Sequence, residues 1–174
     1  MRILALALVV AVAAGLGISA IQPSARADTA PPLAFHSFPR DQARGLTVQA
    51  EAEMVPLAIF GSDDRIRVSP TTSFPARAVS YLQSNYLSVY AMCTGTFVGP
   101  QVVLTAAHCL CNSEQGGWPL SLLVVPGKDD GIEPYGYAFA ADAVVPQEWV
   151  LSGNTDYDWG LVYLPSPSLG QTVG

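Results

Sequence analysis

Cys93-Thr94-Gly95-Thr96-Phe97-Val98-Gly99-Pro100-Gln101-Val102-Val103-Leu104-Thr105-Ala106-Ala107-His108-Cys109 is the stretch on which a reading of this chain turns. Two short runs rich in apolar and β-branched residues flank the Gly99-Pro100 turn signal, so they read as adjacent strands. Such a pair brings the ends of the stretch close together. Cys93 and Cys109 could then bridge, closing a loop worth about 3 kcal/mol in the chain-entropy description. The small residues Thr105-Ala106-Ala107 let the backbone pack tightly just before His108. A covalent staple one residue from an imidazole fixes where that ring points, as a general base requires.

The same texture continues outward. Short runs of β-branched, aromatic and apolar residues occur at 78–82, 93–98, 102–104, 120–125, 135–145 and 160–164. Ser69-Pro70, Gly99-Pro100, Gly116-Gly117, Pro126-Gly127 and Ser152-Gly153-Asn154 punctuate them. Several short strands at this spacing predict an all-β barrel or sandwich. No run of ten or more residues has helical periodicity, and neither internal repeats nor low-complexity tracts occur.

The 174 residues suffice for one modest domain plus a leader. Half of them are hydrophobic and only 13% are charged, which excludes a disordered or collagen-like chain. Eight Lys+Arg against 14 Asp+Glu give a net charge of −6, and Lys128 is the only lysine. Without a basic stripe the counterion-release contribution to nucleic-acid binding is missing. The same lack argues against an anionic membrane surface as partner.

At the N-terminus, Arg2 precedes an apolar and small-residue stretch from Ile3 to Ile21, followed by Ala25-Arg26-Ala27 before Asp28. This is the pattern of a signal peptide spanning 1–27, with an A-x-A cleavage site. The stretch approaches membrane-spanning length, but it is rich in Ala and Gly and no basic stop-transfer cluster follows. Export is therefore expected, with no membrane attachment after signal removal. Residues 28–57 contain Pro31-Pro32 and scattered charges without a sustained period. They read as a pro-segment or linker that promises no core.

In an exported protein a disulfide is the default for cysteine, and the odd count of Cys93, Cys109 and Cys111 leaves one over. Cys111 has three options: a free thiol, a bond outside this chain, or competition with Cys109 for Cys93. Together with His108 the three cysteines also suggest a zinc set. Against zinc, consecutive His108 and Cys109 project in different directions, and the spacing fits no standard zinc pattern. His36, the other histidine, lies in the pro-segment and reads as a bystander.

Thr105-Ala106-Ala107-His108-Cys109, with Cys93 sixteen residues before Cys109, resembles the histidine segment of the chymotrypsin-fold serine proteases. Ile59-Phe60-Gly61-Ser62-Asp63-Asp64-Arg65 is similar to the mature start of the bacterial glutamyl endopeptidase branch. Pro146 to Trp149 and Ser152 to Gly160 are similar to that branch's aspartate region. The similarity runs from about Ala58 to Gly174.

The resemblance implies an antiparallel Greek-key β-barrel, the first of two, with residues 58–174 as the N-terminal part of the protease domain. It implies His108 as general base and Asp158 as the carboxylate that orients it. Asp158 is preferred to Asp156 because the apolar run Gly160-Leu161-Val162-Tyr163-Leu164 starts two residues after it, the family's own offset. It further implies a Cys93–Cys109 bridge, activation cleavage within Glu51 to Ile59, protein or peptide substrates and a preference for Glu at the cleavage site. No cofactor or metal is implied.

No Gly-x-Ser-Gly nucleophile turn occurs in the sequence. The expectation is therefore a secreted serine endopeptidase precursor, represented by a portion that ends before its serine and second barrel. A second reading is a non-catalytic secreted binding or decoy protein that keeps one protease-like barrel. The presence of both His108 and Asp158 favours the enzyme, because a decoy has no chemical need for either.

Overall fold

Valine, leucine and phenylalanine at alternate positions make strands with one apolar face, and this chain closes that face on itself. The computed structural model describes residues 30–41, 62 and 64–174. The expected signal peptide and the expected cleavage stretch Glu51–Ile59 lie outside the described residues, as does most of the segment likened to a mature start. Residues Pro31–Gly174 form one compact unit.

Eight strands are present among the described residues: β1 (Leu33–Ser37), β2 (Val79–Asn85), β3 (Tyr90–Gly99), β4 (Val102–Thr105), β5 (Ser121–Pro126), β6 (Ala138–Phe139), β7 (Asp142–Pro146) and β8 (Gly160–Tyr163). Two six-residue helices accompany them, α1 (Gln147–Ser152) and α2 (Ser168–Val173). All strand pairs are antiparallel, in the order β1-β7-β8-β4-β3-β2-β5-β6.

The sheet curls because β6 and β7 are nearly one strand. The Ala140 N–H still bonds the Leu122 carbonyl beside β5, whereas the Ala141 N–H bonds the Tyr163 carbonyl on β8. Between these two residues the chain passes from one end of the β7-to-β6 order to the other. The curl encloses Leu82, Phe97, Val103, Leu110, Leu122 and Val162, all in one buried cluster. This is an all-β curled antiparallel sheet of the chymotrypsin-like kind.

Gly95 shows how tight the interior is. A Cβ there would sit 2.6 Å from Val103 Cγ1 and 2.9 Å from Leu82 Cδ1, so glycine lets β3 approach β2 and β4 on the inner face.

The reading of residues 28–57 as a segment without a core does not hold for 33–38. Leu33–Ser37 pair with β7, and Phe38 is buried in the main cluster at 6% exposure. The prolines and charges around this strand hide it from a periodicity search. Its partner, β7, lies more than a hundred residues downstream.

Candidate active site

The site grows from the end of β4. Beyond Thr105 the chain enters a short 3-10 turn, Ala107–Cys109, closed by hydrogen bonds from Leu110 N–H and Cys111 N–H to the Ala107 carbonyl, 2.9 and 2.8 Å. Three ties hold this turn to the strands beside it. Cys109 is disulfide-bonded to Cys93 on β3, with Cα atoms 6.0 Å apart. The Thr105 hydroxyl donates to the Thr94 carbonyl at 2.8 Å. The buried Ser84 hydroxyl donates to the Cys109 carbonyl at 2.5 Å.

Asp158 arrives on a second short turn, Thr155–Tyr157, immediately before β8. Asn154 caps that turn by accepting the Asp156 N–H at 3.1 Å. At the start of β8, a Cβ on Gly160 would lie 2.7 Å from Leu110 Cδ1 and 2.8 Å from the Val144 carbonyl. The absence of a side chain there lets the Asp158 turn sit against the His108 turn.

The two turns meet at His108 and Asp158. Asp158 Oδ2 lies 2.7 Å from His108 Nδ1, and Oδ1 accepts the His108 backbone N–H at 2.8 Å. One carboxylate thus grips both the ring and the backbone of the same residue. The histidine side chain is 54% exposed and the aspartate 24%, so the ring is open to solvent while the carboxylate is more sheltered. Asp156 is exposed.

Partial burial pushes the Asp158 carboxyl up. Hydrogen bonds from the His108 ring and backbone, the His108 charge and the Ala107 N–H outweigh it, and the group is held below its ordinary value. A carboxylate with a lowered folded-state value contributes stability above its unfolded value and loses it as pH falls through the folded one. The stability advantage of the wild type over Asp158→Asn should therefore shrink as pH falls below about 4. Urea unfolding across that range checks it; a gap that widens on acidification would contradict the assignment.

Beside the pair lies a cleft of about 520 Å³, lined by His108, Cys111, Asn112, Glu114, Trp149 and Gly153 among others. Trp149, on α1, donates its indole N–H to the Cys111 carbonyl at 2.7 Å, and its ring centre is 6.4 Å from that of His108. The resemblance of Pro146 to Trp149 marks the segment but not what the indole bonds, and Ser84 does not stand out in the sequence. A Trp after Gln147-Glu148 and a Ser within a strand carry no local signal of which backbone carbonyl they will bond.

Cys111 is unbonded within this chain and buried, which removes its competition with Cys109 for Cys93, and burial pushes its titration up. Sulfur and nitrogen atoms of Cys93, His108 and Cys109 lie within 4.8 Å of one another. They do not fit a metal, because the Cys93–Cys109 bond consumes both thiolates and leaves only the imidazole as a ligand.

A curled antiparallel sheet with an imidazole and a carboxylate clamped at its rim defines the class: one barrel of a trypsin-like protein. A family model described as Trypsin matches residues 65–174. The chain is 39% identical over 117 residues to glutamyl endopeptidase of Bacillus licheniformis, across 67% of this chain and 35% of that protein. It is also 39% identical over 122 residues to a Bacillus subtilis protein named extracellular metalloprotease, across 68% and 38%. Among solved structures, a Glu endopeptidase superposes with a TM-score of 0.60 at 27% identity, over 67% of this chain and 52% of that one. The protease Anisep from Arthrobacter nicotinovorans gives 0.51 at 24%, over 56% and 47%, a likeness of fold. The chain belongs to the trypsin-like serine protease family. It spans little more than a third of the length of the curated relatives it matches.

Proposed function

We propose that this chain carries the proton-handling half of a secreted serine endopeptidase. The observation that carries the reading is the double grip of Asp158 on His108. With Nδ1 engaged, the half-exposed ring borders a cleft, which suits a general base that takes a proton from a serine hydroxyl through Nε2. In this role Asp158 holds the ring in the Nδ1–H tautomer and stabilises the imidazolium once the proton has moved. The Cys93–Cys109 bridge anchors the turn that bears the imidazole.

The nucleophilic serine and its oxyanion hole belong to a second barrel facing this one, with the cleft between them. The chain is made as a precursor: residues 1–27 direct export, 28–57 form a pro-segment, and 58–174 begin the protease domain. Substrates are proteins or peptides. A preference for Glu is the finer reading, supported by the 39% identity to a protein named glutamyl endopeptidase. The word extracellular in the name of the second relative supports export, and among the described residues no helix is long and apolar enough to cross a membrane.

Sequencing the source DNA past the codon for Gly174 tests this reading first. A frame that continues for about a hundred residues, the size of a second barrel, and contains a Gly-x-Ser-Gly turn is the expected result. Its product should hydrolyse peptides after Glu. A stop codon directly after Gly174 would overturn the enzymatic reading.

A further inference from the structure

We infer that residues 32–38 are a docking strand that stays on the β7 edge after the chain is cut between Glu51 and Ile59, so that the processed protein is a two-chain assembly. The inference rests on the proposed processing, which hydrolyses one backbone amide in that stretch, and is independent of catalysis.

The contacts are those of an integral strand. Five residue pairs run from Leu33↔Pro146 to Ser37↔Asp142. Two further backbone bonds extend the ladder at its ends, Gln147 N–H to the Pro32 carbonyl and Phe38 N–H to the Ala141 carbonyl, both 2.8 Å. Side chains add to it. Phe38 is buried in the main cluster and Ala34 packs against that cluster. His36 stacks on Trp118 with ring centres 5.0 Å apart and planes 9° from parallel, while its edge meets Phe38 at 4.7 Å. The Ser37 hydroxyl donates to Asp142 Oδ1 at 2.6 Å.

Every one of these contacts precedes Glu51 by at least thirteen residues, so a cut there removes none of them. The strand also protects its partner. With β1 in place, Ala143–Pro146 are all buried and β7 lies between two neighbours; without it β7 becomes an open edge of unpaired N–H and C=O groups.

The location argues against a plug that must leave before the site can work. None of residues 30–41 lines the cleft beside His108. The strand instead holds the root of one cleft wall, because Gln147, bonded to Pro32, is the first residue of α1. Two residues along the same helix, Trp149 bonds the Cys111 carbonyl and faces His108. Of the two histidines, the one that read as a bystander thus serves as a docking contact.

The test inserts a recognition sequence for a site-specific protease between Ala52 and Glu53 of the full-length chain. After complete cutting, gel filtration at micromolar concentration with mass spectrometry of the peak reads retention. The leading fragment should co-elute with the remainder and should still do so in Phe35→Ala, whose ring is 73% exposed. Phe38→Ala should weaken retention by a factor on the order of a hundred. If that variant fails to fold, His36→Ala, which removes only the ring contacts, should weaken it in the same direction. Quantitative release of the wild-type fragment would overturn the inference. So would retention unaffected by both substitutions, because the apolar leader alone would then be holding the fragment. N-terminal sequencing of naturally secreted material separately reports whether the processing itself occurs where proposed.

Discussion

Replacing Asp158 by Asn is expected to lower kcat of the proposed serine-bearing protein by a factor on the order of ten thousand, with KM little changed and the fold intact. The size follows from which atom each contact needs. Asp158 Oδ1 accepts the His108 backbone N–H, and an Asn carbonyl oxygen can accept it equally well, so the side chain keeps its orientation. That orientation places the Asn NH2 where Oδ2 had been, 2.7 Å from Nδ1. An NH2 group donates, so Nδ1 must become the acceptor and the ring proton moves to Nε2. A protonated Nε2 cannot take a proton from a serine, and substrate contacts are untouched. Peptide hydrolysis measures the rate. Nitrogen chemical shifts of His108 in the present chain measure the tautomer without needing the serine. A variant within tenfold of wild-type activity, or one with Nδ1 still protonated, would sink the assignment.

How much of this is readable without coordinates depends on the range of the interaction. The strands at 79–85, 90–99, 102–105, 121–126 and 160–163 grow from β-branched or apolar runs bounded by turn residues, although β2 continues through the polar Gln83-Ser84-Asn85 and β3 begins three residues before the run at 93–98. The run at 135–145 reads as one strand yet divides at Ala140 and Ala141, because the chain there changes partners as the sheet closes. Nothing local marks that point, since both residues are alanine. β1 fails for the complementary reason: between prolines and charges, Leu33–Ser37 become a strand only through β7. α1 is too short for a helical period to show. The approach of Asp158 to His108 spans fifty residues, and only the resemblance of Cys93–Cys109, Pro146–Trp149 and Ser152–Gly160 to a known family singles out the pair. The chemistry of the residues explains the contact once made, but sequence separation hides it beforehand.

Removing the disulfide by Cys93→Ser with Cys109→Ser should cost about 3 kcal/mol, a fall in urea midpoint of roughly 2 M with a modest rise in slope as the opened unfolded chain exposes more surface. The bridge closes a loop with a sequence separation of 16 that contains β4 and the Gly99-Pro100 turn. Opening that loop restores freedom to the unfolded chain, so the loss appears even where folded contacts survive. Two of those contacts do survive, the Ser84 bond to the Cys109 carbonyl and the Thr105 bond to the Thr94 carbonyl. They should keep the turn formed at neutral pH, and the His108 tautomer should therefore persist in the folded variant. Stability and site geometry are thus separable: the disulfide acts mainly on the unfolded ensemble, and Asp158 acts on the ring. Equilibrium unfolding monitored by tryptophan fluorescence, paired with the His108 nitrogen shifts, distinguishes the two. A loss below about 1 kcal/mol would contradict the chain-entropy account of the bridge. A normal loss accompanied by a changed tautomer would instead make the bridge a positioning element for the imidazole.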